Sequence, residues 1–288
     1  HPRLVSDWSS DVLLFRSPEL LKTPYFHLVF TLPKELHEIV RRHQKTMYGV
    51  LMRAAAHSLM KLAADPRYVG GQLGIMAVLH SCTRTLVYHP HVHLLVPAGG
   101  VTRDGCWVSS RKDYLVPVKA LSLVFRGMFV EIARKALPEQ KFPDAIWAKR
   151  WWIDCRSTVQ GTERVLQYLA RYIYRTAFSN SRLICIDHGQ VTFRYRRCKE
   201  RQWRTMTLPA QEFMRRFLQH VLPRGTHKVR YYGIWHPSKR QLLRQIQLLT
   251  GASPLPVATQ DEVTFETDPP GAPTVENPRT CPHCRQGL

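Results

Sequence analysis

Acidic residues are scarce in this chain: 21 Asp plus Glu stand against 42 Lys plus Arg, a formal net charge of +21 over 288 residues. So large an excess sets like charges against one another in the compact state, and it points to a polyanionic partner such as nucleic acid. Long apolar runs are missing as well. No stretch of about 18 apolar residues occurs, and no charged start followed by a long apolar centre, so a membrane span and a secretory signal are not expected. The chain is therefore expected in the cytoplasm. The absence of a GxxxxGK[ST] loop argues against P-loop nucleotide chemistry, and the absence of an internal repeat argues against a solenoid. Cysteines are few and scattered. Cys82, Cys106, Cys155, Cys185 and Cys198 lie among apolar or strand-like residues and read as reduced core thiols, not as a disulfide framework.

The remaining composition is that of ordinary globular material, 44% hydrophobic and 22% charged, with ample apolar residues for a core. Residues 25–30 are a β-rich run closed by Thr31-Leu32-Pro33, a strand and a turn. Apolar residues recur at helical spacing over residues 34–64. Gly70-Gly71 interrupts the pattern, and residues 74–82 and 91–96 read as two strands joined by a loop through His89-Pro90. Gly99-Gly100 ends the second strand, and Asp104-Gly105 marks a turn. Residues 118–136 predict an amphipathic helix with Pro117 at its start, residues 150–156 a short Trp-rich strand, and residues 163–177 a third helix. Three strands follow at 183–187, 191–197 and 203–208, the first two joined at His188-Gly189. Helices at 210–222 and 238–249 flank a strand at 228–234. This order predicts an α+β fold with a mostly antiparallel central sheet and flanking helices. Residues 1–20 lack periodicity and are read as a non-family or artefactual segment. Residues 252–288, with Pro254, Pro256, Pro269, Pro270, Pro273 and Pro278, are read as a flexible tail ending in Cys281-Pro282-His283-Cys284.

Two local patterns carry chemistry. In His89-Pro90-His91-Val92-His93, a strand conformation sends His91 and His93 to the same side. Two adjacent imidazoles are a ready pair of metal ligands, although strand histidines satisfied by hydrogen bonds present the same pattern. A metallo-β-lactamase-type hydrolase would place an Asp-His pair next, and Leu94-Leu95-Val96-Pro97 stands there instead. The second pattern is Tyr168-Leu169-Ala170-Arg171-Tyr172. Helical spacing of four puts both phenols on one face, where two half-buried structural aromatics would also sit. Arg171 and Arg175 share a similar spacing and can flank phosphates, whereas Tyr174 points elsewhere. Further cations, Arg194, Arg196, Arg197, Lys199, Arg201 and Arg204, are interleaved with Tyr195 and Trp203. Lys149 and Arg150 sit among Trp147, Trp151 and Trp152. Such mixtures of cations and rings suit single-stranded nucleic acid.

Taken together, the His-x-His strand, the Tyr-x-x-x-Tyr helix and the basic excess resemble the HUH endonucleases, and within them the rolling-circle transposases of the insertion-sequence 91 type and their common-region relatives. Residues 24–33, 89–100, 168–172, 191–196, 205–208 and 229–233 carry the resemblance, which spans roughly residues 21–250. It implies that residues 21–251 are an HUH nuclease domain in which Tyr168 and Tyr172 are the nucleophiles. It also implies a divalent metal, Mg or Mn, held by His91 and His93, with attack leaving a 5′-phosphotyrosine and a free 3′-hydroxyl. His80, in the preceding strand, is the expected third ligand, with Gln167 and Gln160 as alternatives. The partner is expected to be DNA, chiefly single-stranded transposon ends, in a bacterial cytoplasm beside the nucleoid. Family members carry an N-terminal cysteine-rich segment, and no cysteine precedes Pro24 here. Cys281 and Cys284 resemble the family's C-terminal CxxC and are candidate zinc ligands that supply half of a four-ligand site. A non-catalytic nucleic-acid-binding remnant of such a transposase is the alternative reading.

Overall fold

The computed structural model describes residues 20–157, 177–196 and 202–251. Along the chain, β1 (Tyr25–Thr31) leads through a 3-10 turn at Lys34–Leu36 into α1 (His37–Arg42) and α2 (Gln44–Ala63). β2 (Gly74–Cys82) and β3 (Tyr88–Pro97) form a long hairpin, followed by a small one, β4 (Gly99–Val101) with β5 (Trp107–Ser109). Next come α3 (Val118–Ala136), α4 (Ala145–Ala148) and β6 (Ile153–Ser157). A three-stranded meander of β7 (Leu183–Asp187), β8 (Gln190–Tyr195) and β9 (Arg204–Pro209) precedes α5 (Ala210–Leu218), β10 (Val229–Gly233) and α6 (Arg240–Leu249).

The central sheet has five strands in the order β10-β2-β3-β1-β6, every pairing antiparallel. The fold is thus α+β, as the order of strand and helix signals implies. Strand alternation divides the sheet into two unlike faces. On one side Phe26, Leu28 and Phe30 of β1, Ile75, Ala77 and Leu79 of β2, and Val92, Leu94 and Val96 of β3 merge with the buried faces of α2 and α3 into the main core. Ala54, Ala55 and Ala56 are buried on α2, and their small side chains let that helix lie close to its neighbours. The opposite face is apolar only at one end, where Met76, Val78 and Leu95 pack with Tyr25, Ile234, Trp235 and the α6 residues Leu243 and Ile246. Among the described residues, no helix is long and apolar enough to cross a membrane.

Several boundaries differ from the sequence expectation, each for a local reason. The helix expected over 34–64 is broken at His43, whose φ of −120° and ψ of 43° are not helical. His89 and Pro90, expected in a loop, belong to β3. Between the pairs His80↔His91 and Cys82↔Tyr88 the register shifts, because β3 spends one residue more than β2 over that interval. Proline cannot donate to the ladder, so such a bulge is where a strand tolerates Pro90. The Trp-rich strand begins at Ile153 instead of 150. Trp151 is buried and donates from its indole N–H to the Ile146 carbonyl at 3.1 Å. The helix from Ala210 ends at Leu218, and a 3-10 turn at Pro237–Lys239 precedes α6. His188-Gly189 makes the expected tight hairpin, with φ of 43° and 72°. Of the thiols expected in the core, Cys106 and Cys185 are exposed, the first in the β4–β5 connection and the second on β7, whose residues are all exposed. The expected helix at 163–177, save Ala177, and the tail at 252–288 lie outside the described residues.

One glycine is demanded by the backbone. Gly233 has φ +64°, and a Cβ there would lie 1.8 Å from the Leu73 carbonyl oxygen, the group that accepts the Ile234 N–H at 3.0 Å. This contact closes β10 onto the start of β2 and so completes the edge of the sheet.

Candidate metal centre

The polar end of the second sheet face is built by three strands. His91 and His93 alternate with the core residues Val92 and Leu94 on β3, the middle strand. His80 of β2 is the direct antiparallel partner of His91. Register therefore puts all three imidazoles on one face, and one ring nitrogen from each lies within 4.8 Å of the others. His80 and His93 are buried and His91 is half-buried. The rings of His80 and His93 stand 4.4 Å apart, those of His80 and His91 5.3 Å.

Neighbouring groups orient the rings. The bulge places the His89 carbonyl 2.7 Å from His91 Nδ1, which donates to it and leaves Nε2 as the nitrogen able to bind a cation. His93 Nδ1 lies 2.8 Å from Nε2 of His27, and the two rings are nearly parallel, with centroids 5.0 Å apart. His27 comes from β1, opposite Leu95 and diagonal to His93. Burial pulls its pKa down to about 4, opposed by the carboxylate of Asp154 and assisted by Arg156, so it is neutral at ordinary pH. Those two residues, on β6, pair with each other at 2.7 Å. Three clustered imidazoles suit a first-row divalent ion, whereas Mg²⁺ and Mn²⁺ favour oxygen ligands and would complete their shells here with water or phosphate oxygens.

Beside the cluster, among the described residues, the far end of one β2 edge has no strand partner. β10 begins to pair at Val229, opposite Val78, and the Lys228 carbonyl still accepts from Leu79 N–H at 2.9 Å, so no described strand pairs with His80 to Cys82 on that side. A cavity of about 310 Å³ borders this edge, walled by His80, Phe178, Phe217, His220 and Lys228 among others. His220 is fixed there between the Ser81 hydroxyl at 3.1 Å and the Leu86 carbonyl at 3.1 Å.

The expected cationic residues fall into different settings. On β8, Val191, Phe193 and Tyr195 are buried while Arg194, and Arg196 just past the strand, are exposed. The two guanidinium groups lie 5.0 and 5.7 Å from the ring centre of Trp203, which is itself exposed. Arg204 begins β9 and is exposed too. Tyr195, expected as a stacking surface, instead belongs to the interior of this small sheet, because it alternates with the arginines. Lys149 pairs with Glu35, and Arg150 is exposed. Of the three tryptophans nearby, Trp151 is core while Trp147 and Trp152 are exposed. Tyr168, Tyr172, Arg171, Arg175, Arg197, Lys199, Arg201, Cys281 and Cys284, with Gln160 and Gln167, lie outside the described residues. The sequence motifs give no separate role to His27. Its signal is pairing: once β1 is set beside β3, every second residue from Tyr25 shares the histidine face.

Comparison with known proteins adds an independent line. Residues 74–242 match the family model Y2_Tnp, described as "Putative transposase". The chain is 38% identical over 305 aligned positions to "Putative transposase y4qJ" of Sinorhizobium fredii, covering 98% of this chain and 75% of that protein. It is 28% identical over 225 positions to "Transposase for insertion sequence element IS801" of Pseudomonas savastanoi pv. phaseolicola, covering 73% of this chain and 54% of that one. No solved structure matches the chain significantly.

Proposed function

The chain belongs to this transposase family, and on that premise we propose that it nicks and rejoins single-stranded DNA by tyrosine attack assisted by a divalent ion, as in the HUH rolling-circle enzymes that its motifs resemble. The observation that carries the reading is the convergence of His80, His91 and His93 on one point of the central sheet. These three side chains would hold Mn²⁺ or Mg²⁺, which when bound polarises the scissile phosphate and offsets charge in the transition state.

The other roles belong to the chain itself. Tyr168 is the first nucleophile and Tyr172 the second. The attacking phenol loses its proton and bonds to phosphorus, the bond to the 3′ oxygen breaks, and that oxygen leaves as a hydroxyl. The resulting 5′-phosphotyrosine keeps the bond energy for rejoining, so ATP is not needed. Arg194, Arg196 and Arg204 pair with phosphates while Trp203 stacks on a base. The cavity beside His80, with Phe178 and Phe217 in its walls, offers room for a base next to the scissile phosphate.

The test uses the full chain with end-labelled single-stranded DNA from a family transposon terminus and Mn²⁺ or Mg²⁺. A covalent protein–DNA adduct is expected on a denaturing gel, absent with chelator and lost in Tyr168→Phe. An adduct that persists in the Tyr168→Phe, Tyr172→Phe double variant would overturn the tyrosine mechanism. DNA binding without any adduct would favour the non-catalytic remnant.

A further inference from the structure

We propose that His27 is a positioning residue for the metal centre: its Nε2 accepts a hydrogen bond from His93 Nδ1–H and thereby presents the lone pair of His93 Nε2 to the cation. The inference rests on the metal reading above and assigns a fourth histidine to it, one that does not touch the ion.

Proton placement on the two rings decides the direction of this bond. A neutral imidazole carries one N–H, and only the other nitrogen can bind a metal. At the 2.8 Å contact between His27 Nε2 and His93 Nδ1, one nitrogen must donate and the other accept. If His27 donated, the proton of neutral His93 would sit on Nε2 and block it as a ligand. If His93 donates, Nε2 is left bare, as the triad requires. His91 solves the same problem with the His89 carbonyl. At His93 no bulge brings a carbonyl to the ring, because the register with β1 and with Val78 of β2 is regular there. The acceptor comes instead from the neighbouring strand.

Position supports the role. His27 is 8% exposed, is nearly parallel to His93, and sits on a strand paired on both edges, so its ring has little freedom to turn away. On β6, Arg156 stands opposite His27 and Asp154 opposite Val29, and the two pair with each other at 2.7 Å on the same face. Carboxylates and carbonyls commonly fill the outer place beside ligating histidines, and losing such a partner costs roughly 10–100-fold in metal affinity. An imidazole there supplies the same acceptor without adding a buried charge.

Two measurements test this on the full chain. In the metal-free protein, long-range ¹H–¹⁵N correlation of the His93 ring, assigned by comparison with His93→Gln, should show the proton on Nδ1 in the wild type. In His27→Phe, which keeps a buried ring but removes the acceptor, the proton should redistribute toward Nε2. Mn²⁺ affinity, read by electron paramagnetic resonance of the free ion, should fall roughly 10–100-fold in His27→Phe and largely recover in His27→Gln, whose amide oxygen can accept. Should His27→Phe fail to fold, the wild-type tautomer and the glutamine variant still decide the matter. A wild-type His93 protonated on Nε2, or wild-type Mn²⁺ affinity in a folded His27→Phe, overturns the proposal. A wild-type protein that binds no Mn²⁺ overturns the metal reading itself and the role of His27 with it, an outcome distinct from intact binding that ignores His27.

Discussion

The two sheets of this protein place their polar groups in opposite ways. In the five-stranded sheet, β3 is flanked on both edges and covered by α2 and α3 on its Val92 face, and its His93 is buried and His91 half-buried. In the three-stranded sheet, β7 is exposed along its whole length, with Ile184 and Ile186 at 52% and 67%, and Arg194 of β8 and Arg196 just after it are open to solvent. Chemistry at a metal needs ligands held within fractions of an ångström, which packing on both edges of a central strand provides. Gripping a flexible polyanion needs cations and ring faces that reach it from water. The β2–β3 turn joins the two regions: Arg84 donates to the Arg196 carbonyl at 2.9 Å, and Arg182 donates to the Arg84 carbonyl at 2.5 Å. The positioned site and the exposed surface are thus mechanically connected through a turn only a few residues from His80.

The comparison can be broken most severely at the centre. His91→Ala removes one of the three clustered imidazoles outright, so on the proposed reading Mn²⁺ affinity should fall by more than the roughly 10–100-fold expected for an outer partner. Adduct formation should vanish with it, while single-stranded DNA binding stays near wild type. Isothermal titration with Mn²⁺ and a filter-binding assay check the two halves, and equal loss of both would show that the two regions are not separable. Gly233→Ala attacks the same sheet through its backbone. With φ at +64° and a carbonyl oxygen 1.8 Å from the new methyl carbon, the destabilisation should exceed about 3 kcal/mol or prevent folding, as read by urea denaturation.

Smaller effects belong to the exposed sheet. Trp203→Ala should weaken single-stranded DNA binding by about 1–3 kcal/mol without altering Mn²⁺ affinity. Arg194→Gln with Arg196→Gln should flatten the slope of log affinity against log salt by about 1.4, the value for two phosphates on a single strand. Fluorescence anisotropy across a salt series measures both, and an unchanged slope would remove these residues from the interface. The smallest effect is expected at Ile186→Thr on β7. A substitution at so exposed a site should change stability by no more than about 0.5 kcal/mol, and a larger loss in thermal melts would mean that β7 is covered by something in solution.

Much of the candidate site is legible in the amino-acid sequence. Strand periodicity alone puts His91 and His93 on one side of a strand, since alternate residues of an extended chain share a face. His80 is legible as a residue of the adjoining strand, but its direct pairing with His91 depends on a register that the bulge at His89-Pro90 shifts by one residue. His27 is less visible still. It lies far from the pair in the chain, and no local pattern says that β1, instead of another strand, borders β3 on that side. The mixed fate of the aromatic residues has the same origin. Trp151 and Trp152 are adjacent in sequence, yet one is core and the other is exposed, because the turn into β6 points them in different directions.

The sequence by itself determined the class of partner, the α+β order and the local geometry of each motif. Charge balance, hydrophobic period and turn residues act over a few positions and survive without tertiary context. Tertiary structure alone decided which strands are neighbours, hence that three histidines from two strands meet at one point and a fourth from β1 touches His93. It also decided that Tyr195 is buried while Trp203 lies open beneath two arginines. Strand order and register are set by how all the faces bury together, a sum over contacts distant in the chain that no single segment encodes.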